Sequence, residues 1–185
     1  MKNFDTGRVQ DKLINRLDRK EKQQAFQRDR FFNFKLPEIH SRLSQALLME
    51  KIVETDHSAA VSELILKGLK KAVKISEFDF KYFTAPIRNL IPRANPISLY
   101  MTQYILEVVI DDPNVIDIFG TDLDIYKAVN NVITNINLKF ERAEEKIMQQ
   151  ISRNKSLSPG SREYDIALDQ LFRKAMGDPQ SSNPQ

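Results

Sequence analysis

Apolar positions recur along this chain at helical rather than strand spacing over most of its length. The clearest stretch runs from Gly120 to Ser152. Its apolar residues Tyr126, Val129, Ile133, Ile136, Phe140, Ala143 and Ile147 follow one another at alternating steps of three and four. That is a heptad a/d stripe, and no glycine or proline interrupts it. Thr121 supplies an N-cap oxygen, and Asp124 stands where a capping box places Glu or Gln, so the pattern predicts a helix over about 121–152. At 1.5 Å per residue such a helix is about 46 Å long and needs several neighbours to cover it. Ile125, Val132 and Leu138 lie off the seam and widen the apolar face of the first half, while Glu141, Arg142, Glu144 and Glu145 narrow the second. The first half therefore reads as domain core. The second reads as the place where another chain docks, at Phe140, Ala143, Ile147 and Ile151.

The stretch from Pro96 to about Ile110 predicts the helix on which that core packs. Asn95 before Pro96 is a cap followed by a first-turn proline. Leu99, Met101, Ile105, Leu106, Val108 and Val109 cover most of its circumference, which marks a central helix. Upstream, Pro37 opens a helix over 38–54 with Ile39, Leu43, Ala46, Leu47 and Val53 inward. A further helix over 59–74, capped by Asp56 or Ser58, buries Val61, Leu64, Ile65, Leu69, Ala72 and Val73. Gly68 lies on that buried stripe, at a cost of about 1 kcal/mol relative to alanine, and marks a close helix crossing.

Other stretches are less regular. Residues 76–96 hold Phe78, Phe80, Tyr82 and Phe83 and are broken by Pro86, Pro92 and Pro96. A strand period and a helix start at Ser76 compete there, with a short helix and a turn at Ala85-Pro86 as the expectation. Val115 to Phe119 is strand-like but has no evident partner, so it is read as a buried extended connector. After Ser152 a linker composition covers 152–161. Ser161 then caps an amphipathic helix over 162–177 that carries Leu168, Leu171 and Phe172, with Gly177 at its C′ position. The tail 178–185 has the composition of a disordered segment.

The N-terminal stretch 8–30 reads as a helix whose stripe (Val9, Leu13, Ile14, Leu17) fades into charge and glutamine. Phe31, Phe32 and Phe34 follow. Three rings within four residues cannot share one helix face, so the chain is expected to leave the helix there and drop rings into a groove, its own or a neighbour's.

Composition agrees with helices: 41% apolar residues, eleven Phe and only five Gly in 185 residues. The expected fold class is all-α, a bundle of five to six helices. A core over 36–151 is flanked by a basic N-terminal arm over 1–35 and by the C-terminal helix as a peripheral arm. The absence of cysteine excludes disulfides, thiolate metal sites and a cysteine nucleophile. The longest uncharged apolar run, Ile97–Leu106, is far short of the ~20 residues of a membrane helix, and no secretory apolar run opens the chain. A cytoplasmic location without membrane attachment is the expectation.

Charge adds polarity. Residues 1–35 hold ten Lys/Arg against five Asp/Glu, and residues 101–151 hold four against nine. Candidate chemistry is sparse. His40 and His57 fall on different elements without a zinc ligand set. Asp111, Asp112, Asp117, Asp122 and Asp124 match no EF-hand spacing; Asp111 and Asp112 end a helix, and Asp122 and Asp124 sit in a helix's first turn, where the dipole favours anions. No nucleophile elbow and no phosphate-cradling glycine loop is present. No catalytic, cofactor or metal residue is assigned, and the chain reads as non-enzymatic. An anion held by Arg88 and Arg93 beside Tyr82 ranks below two other readings. The first is an adaptor that forms a homodimer and binds a protein partner through helix faces, at Phe140, Ala143, Ile147 and Ile151 and at Phe31, Phe32 and Phe34. The alternative is nucleic-acid binding by Arg8, Lys12, Arg16, Arg19, Lys20, Lys22, Arg28 and Arg30, opposed by the interleaved Asp11, Asp18, Glu21 and Asp29.

Overall fold

A computed structural model of the chain describes residues 6–74 and 95–179, with side chains from residue 28 onward and Pro96 excepted. Its elements are α1 (Thr6–Met49), β1 (Val53–Glu54), α2 (Ser58–Val73), α3 (Pro96–Val109), β2 (Asp117–Ile118), α4 (Asp122–Ser152) and α5 (Arg162–Met176). The fold is an all-α bundle, and the described residues hold five helices and one two-stranded sheet. The expected short helix after Ser76, and the arginine pair Arg88 and Arg93 beside Tyr82, lie outside the described residues.

Local capping sets most helix limits where the pattern placed them. At α3, Asn95 Oδ1 accepts the N–H groups of Ile97 and Ser98. At α5, Ser161 Oγ accepts the N–H of Tyr164, and Gly177 follows the last turn at φ 83°. At α4, Thr121 and Asp124 form the reciprocal box: the Asp124 N–H donates to Thr121 Oγ1, and the Thr121 N–H donates to Asp124 Oδ2. The Thr121 hydroxyl also donates to Asp124 Oδ2 at 2.7 Å. These bonds, the side-chain one first, hold the Asp124 carboxyl below its ordinary value of 3.8. A depressed carboxylate contributes stability above its unfolded value and loses it as pH falls through the lower folded value. Thr121→Val is therefore expected to raise the Asp124 titration midpoint toward 3.8, as read by side-chain NMR; an unmoved midpoint rejects the box as its cause.

The structure corrects the N-terminal reading. Residues expected to form two helices broken at the phenylalanines form one helix, with Pro37 inside it. The rings can stay on one helix because α1 is covered from several sides. Phe31 meets Phe140 of α4 edge-on at 5.3 Å, Phe34 stacks on Phe172 of α5 at 5.8 Å, and Phe32 lies beside Ala72, Ile97 and Met101. Beyond the proline, Ile39, Leu43 and Leu47 are fully buried. A helix-interior proline costs about 3 kcal/mol. Burying five large side chains, at roughly 1.5–3 kcal/mol each, outweighs it.

A second correction concerns 115–119. It is not a buried connector: Asp117–Ile118 pairs antiparallel with Val53–Glu54, in the register Val53↔Ile118 and Glu54↔Asp117. Val53–Glu54 lies where the pattern extended a helix to 54. α1 instead ends at Met49, and Lys51 takes a positive φ of 55° that turns the chain into β1.

The main core cluster runs through α1 to α5, and Leu99 of α3 with Tyr126 of α4 forms a second, smaller one. α3 is central, as its composition implied, lying against both α2 and α4. Its two fully buried polar groups are satisfied: Ser98 Oγ donates to Asn130 Oδ1, and Thr102 Oγ1 donates to the Ser98 carbonyl. Gly68 sits at the α2–α3 crossing, where an added Cβ would lie 2.7 Å from the Tyr104 carbonyl oxygen. The last helix is not peripheral, since Phe172 is buried in the same core.

Candidate interaction surface

α1 and α3 end, and α2 and α4 begin, at one end of the bundle, and the β1–β2 ribbon ties them there. The Ile116 N–H donates to the Glu54 carbonyl and the Phe119 N–H to the Ile52 carbonyl, both at 2.8 Å. Thr55 Oγ1 donates to the Asn114 carbonyl and accepts the backbone N–H of His57, the α2 N-cap residue, whose own side chain makes no cap bond. Gly120 packs against Ile52, where a Cβ would come within 2.9 Å of its methyl group. The ribbon is thereby seated on the bundle through Val53 and Ile118.

What this end shows to solvent is unusual for a bundle surface. Seven large hydrophobic side chains stand exposed among the described residues, and four of them belong here: Met49 at 73%, Ile110 at 59%, Ile116 at 59% and Phe119 at 64%. The same segments, 50–57 and 110–124, contain eight carboxylates and one lysine. Asp112 accepts the Asn114 N–H, and Asp117 accepts the Ile118 N–H, so part of the acid set also shapes the loop. Asp111 and Asp112 follow the C-terminus of α3, where the helix dipole favours cations, and neither α1 nor α3 carries a basic residue in its last turn. No intrahelical gain explains placing acid there. Scattered exposed apolar residues are ordinary, whereas contiguous apolar patches rimmed by polar groups are characteristic of interaction sites.

The residues singled out from sequence lie elsewhere. Phe140, Ile147 and Ile151 are buried, and Ala143 is half-buried, beneath α1 and α5 of the same chain. The seam expected to receive another chain is therefore closed by the chain's own C-terminal helix. Phe31 and Phe32 are buried, and Phe34 is partly buried against Phe172. Among the basic set, Arg30 donates to Glu144 at 3.1 Å and lies over the Phe172 ring at 4.5 Å, while Arg28 is 3.7 Å from Asp29. Arg8, Lys12, Arg16, Arg19, Lys20 and Lys22 lie on the helical backbone of α1, and their side chains fall outside the described residues.

Sequence reasoning passed over Met49, Ile110, Ile116 and Phe119 because each sits at an element boundary, where periodicity carries no information. The carboxylate run was visible, but not the apolar residues folded in among it.

Other candidates for chemistry are quiet. The His40 ring nitrogen Nε2 donates to the Ser62 carbonyl at 2.7 Å, and Ser62 Oγ, 3.0 Å from the same nitrogen, donates to Ser44 Oγ. A ring nitrogen that already carries its proton cannot take one from the hydroxyl, so this is a tie between α1 and α2. Among the described residues no group of three or more His, Asp or Glu is placed to hold a metal ion. Among them, too, no helix is long and apolar enough to cross a membrane.

Fold and surface together define a helical bundle with an acidic, apolar end. Residues 88–178, which include α3, β2, α4 and α5, match a family model described as "Protein of unknown function (DUF507)", and over that stretch the chain is similar to this family. No curated protein and no solved structure matches the chain.

Proposed function

We propose that the chain is a non-enzymatic interaction protein that binds a protein partner at the acidic end of the bundle. The observation that carries this reading is the gathering of Met49, Ile110, Ile116 and Phe119, all more than half exposed, among eight carboxylates and one lysine. Such a surface fits a segment that presents an apolar stripe flanked by Lys or Arg. The stripe covers the side chains, while the cations meet carboxylates such as Asp111 and Asp112, which the α3 dipole leaves uncompensated. The same acidity repels a phosphate backbone, and Arg30 is engaged within the fold, so these observations favour a protein partner over nucleic acid.

A labelled synthetic helix built of leucine and lysine at amphipathic spacing serves as the probe. Its binding, followed by fluorescence anisotropy, is expected to be measurable at about 50 mM salt and to weaken steeply as salt is raised, since the Debye length shortens. Ile116→Ser with Phe119→Ser is expected to weaken it about tenfold or more, equivalent to roughly 1.4 kcal/mol. Leu138→Ser, which removes an exposed apolar group on α4 away from this end, is expected to leave it unchanged. Equal binding by all three proteins rejects the acidic end as the docking surface.

A further inference from the structure

The occupant of the acidic end can be named, on the basis of the docking reading above, from the length of α1. At 1.5 Å per residue its 44 residues span about 66 Å, against about 46 Å for the 31 residues of α4. Phe31 against Phe140 and Arg30 against Glu144 show that α1 and α4 run antiparallel and fix their register. From that level toward the start of α1, α4 ends at Ser152 after about 18 Å, and α5 begins at Arg162 about 15 Å from Phe172. α1 continues to Thr6, about 38 Å away. Roughly 20 Å of helix, close to Thr6–Asp18, therefore runs past the ends of α4 and α5, the described helices that pack on it there, on the side opposite the acidic surface.

In sequence this projecting stretch carries Val9, Leu13, Ile14 and Leu17 at helical spacing with three Lys/Arg against two Asp/Glu, and the next turn adds Arg19, Lys20 and Lys22 against Glu21. It is a basic helix with an apolar stripe, the chemistry that the acidic end calls for. Because α1 is one continuous helix, the arm points away from the acidic end of its own chain and cannot fold back onto it. We infer that the acidic end binds the N-terminal helix of a second copy of this chain. The contact is heterologous, arm to end. Two copies lying antiparallel can satisfy both contacts and close as a pair; any other rotation extends the assembly.

Sedimentation velocity on the intact chain tests this. At about 50 mM salt the weight-average mass is expected to rise with concentration above the monomer's 21.5 kDa, and to return to it at about 0.5 M salt. An arm variant (Arg16→Glu, Arg19→Glu, Lys20→Glu) and an end variant (Asp111→Lys, Asp117→Lys) are each expected to stay monomeric with unchanged helical circular dichroism. The arm variant keeps an intact acidic end and the end variant keeps an intact arm, so mixing the two is expected to give a one-to-one complex. A wild-type chain that stays monomeric in low salt, an arm variant that still associates, or a mixture that does not would overturn the inference. The leucine–lysine probe separates the two levels. If the arm variant binds the probe yet the wild-type chain does not self-associate, the occupant is wrong and the docking surface stands; if the probe does not bind either, both fall.

Discussion

Replacing Phe172 with alanine is expected to release α5 from the bundle and to lower stability by about 3–5 kcal/mol, the usual range for removing a fully buried phenylalanine. The ring is 1% exposed, and with Leu168 it is one of two buried side chains on α5. It stacks on Phe34 at 5.8 Å and on Phe140 at 6.1 Å, and the Arg30 guanidinium lies over it at 4.5 Å. Removing it withdraws one contact from each of three side chains on two other helices and leaves a cavity between them. A 15-residue helix in water is marginal by itself, so α5 should melt once its anchor is gone. Hydrogen exchange is expected to show lost protection over 162–176, with the α2–α3 crossing still protected at the same denaturant concentration. Parallel loss across both regions would mean that α5 does not open as a separate unit. Phe172→Leu keeps most of the volume and is expected to cost distinctly less.

Gly68→Ala is expected to destabilise the bundle although it removes a glycine from a helix interior. By propensity alone alanine would gain about 1 kcal/mol. At this site the new Cβ would lie 2.7 Å from the Tyr104 carbonyl oxygen and 3.1 Å from both the Tyr104 carbonyl carbon and a Val108 methyl. The closest obstacle is backbone, so no side-chain rotation relieves it and α3 must shift as a body against α2 and α4. Overpacking of this kind costs about 1–3 kcal/mol. The thermal midpoint should fall by roughly 2–4 °C for each net kcal/mol in a chain of this size. A raised midpoint would show that the crossing has slack. Gly68→Val should lower it further, since a branched side chain meets the same carbonyl with more volume.

These two sites differ in how they could be read from sequence. Gly68 stood out because a glycine on an apolar helical stripe has few reasons to be there except a close neighbour. Phe172 looked like any apolar position of a C-terminal amphipathic helix, and the residues it covers looked like a seam open to another chain. The sequence shows Phe140, Ile147 and Ile151 as apolar and aligned, but what lies over them depends on where a helix joined by the segment between Ser152 and Arg162 comes to rest. The candidate surface shows the same division. The carboxylates from Asp111 to Asp124 are plain in the sequence. Met49 joins Ile110, Ile116 and Phe119 only because β1 pairs with β2 across more than sixty residues.

Sequence alone determined the elements whose limits are set within three or four residues. Asn95 with Pro96, Thr121 with Asp124, and Ser161 with Gly177 bound α3, α4 and α5 through bonds between near neighbours, so reading the neighbours is enough. The heptad stripe of α4 and the largely apolar surface of α3 likewise dictated that the stripe and most of α3 be buried. Tertiary structure alone decided three things: that α1 runs unbroken through Phe31 and Pro37, that Asp117–Ile118 finds Val53–Glu54, and that α5 closes the α4 seam. In each case local preference is outweighed by burial against residues far away in the chain. A proline costing about 3 kcal/mol is tolerated where flanking rings are covered on three sides, and no window of neighbouring residues contains that information.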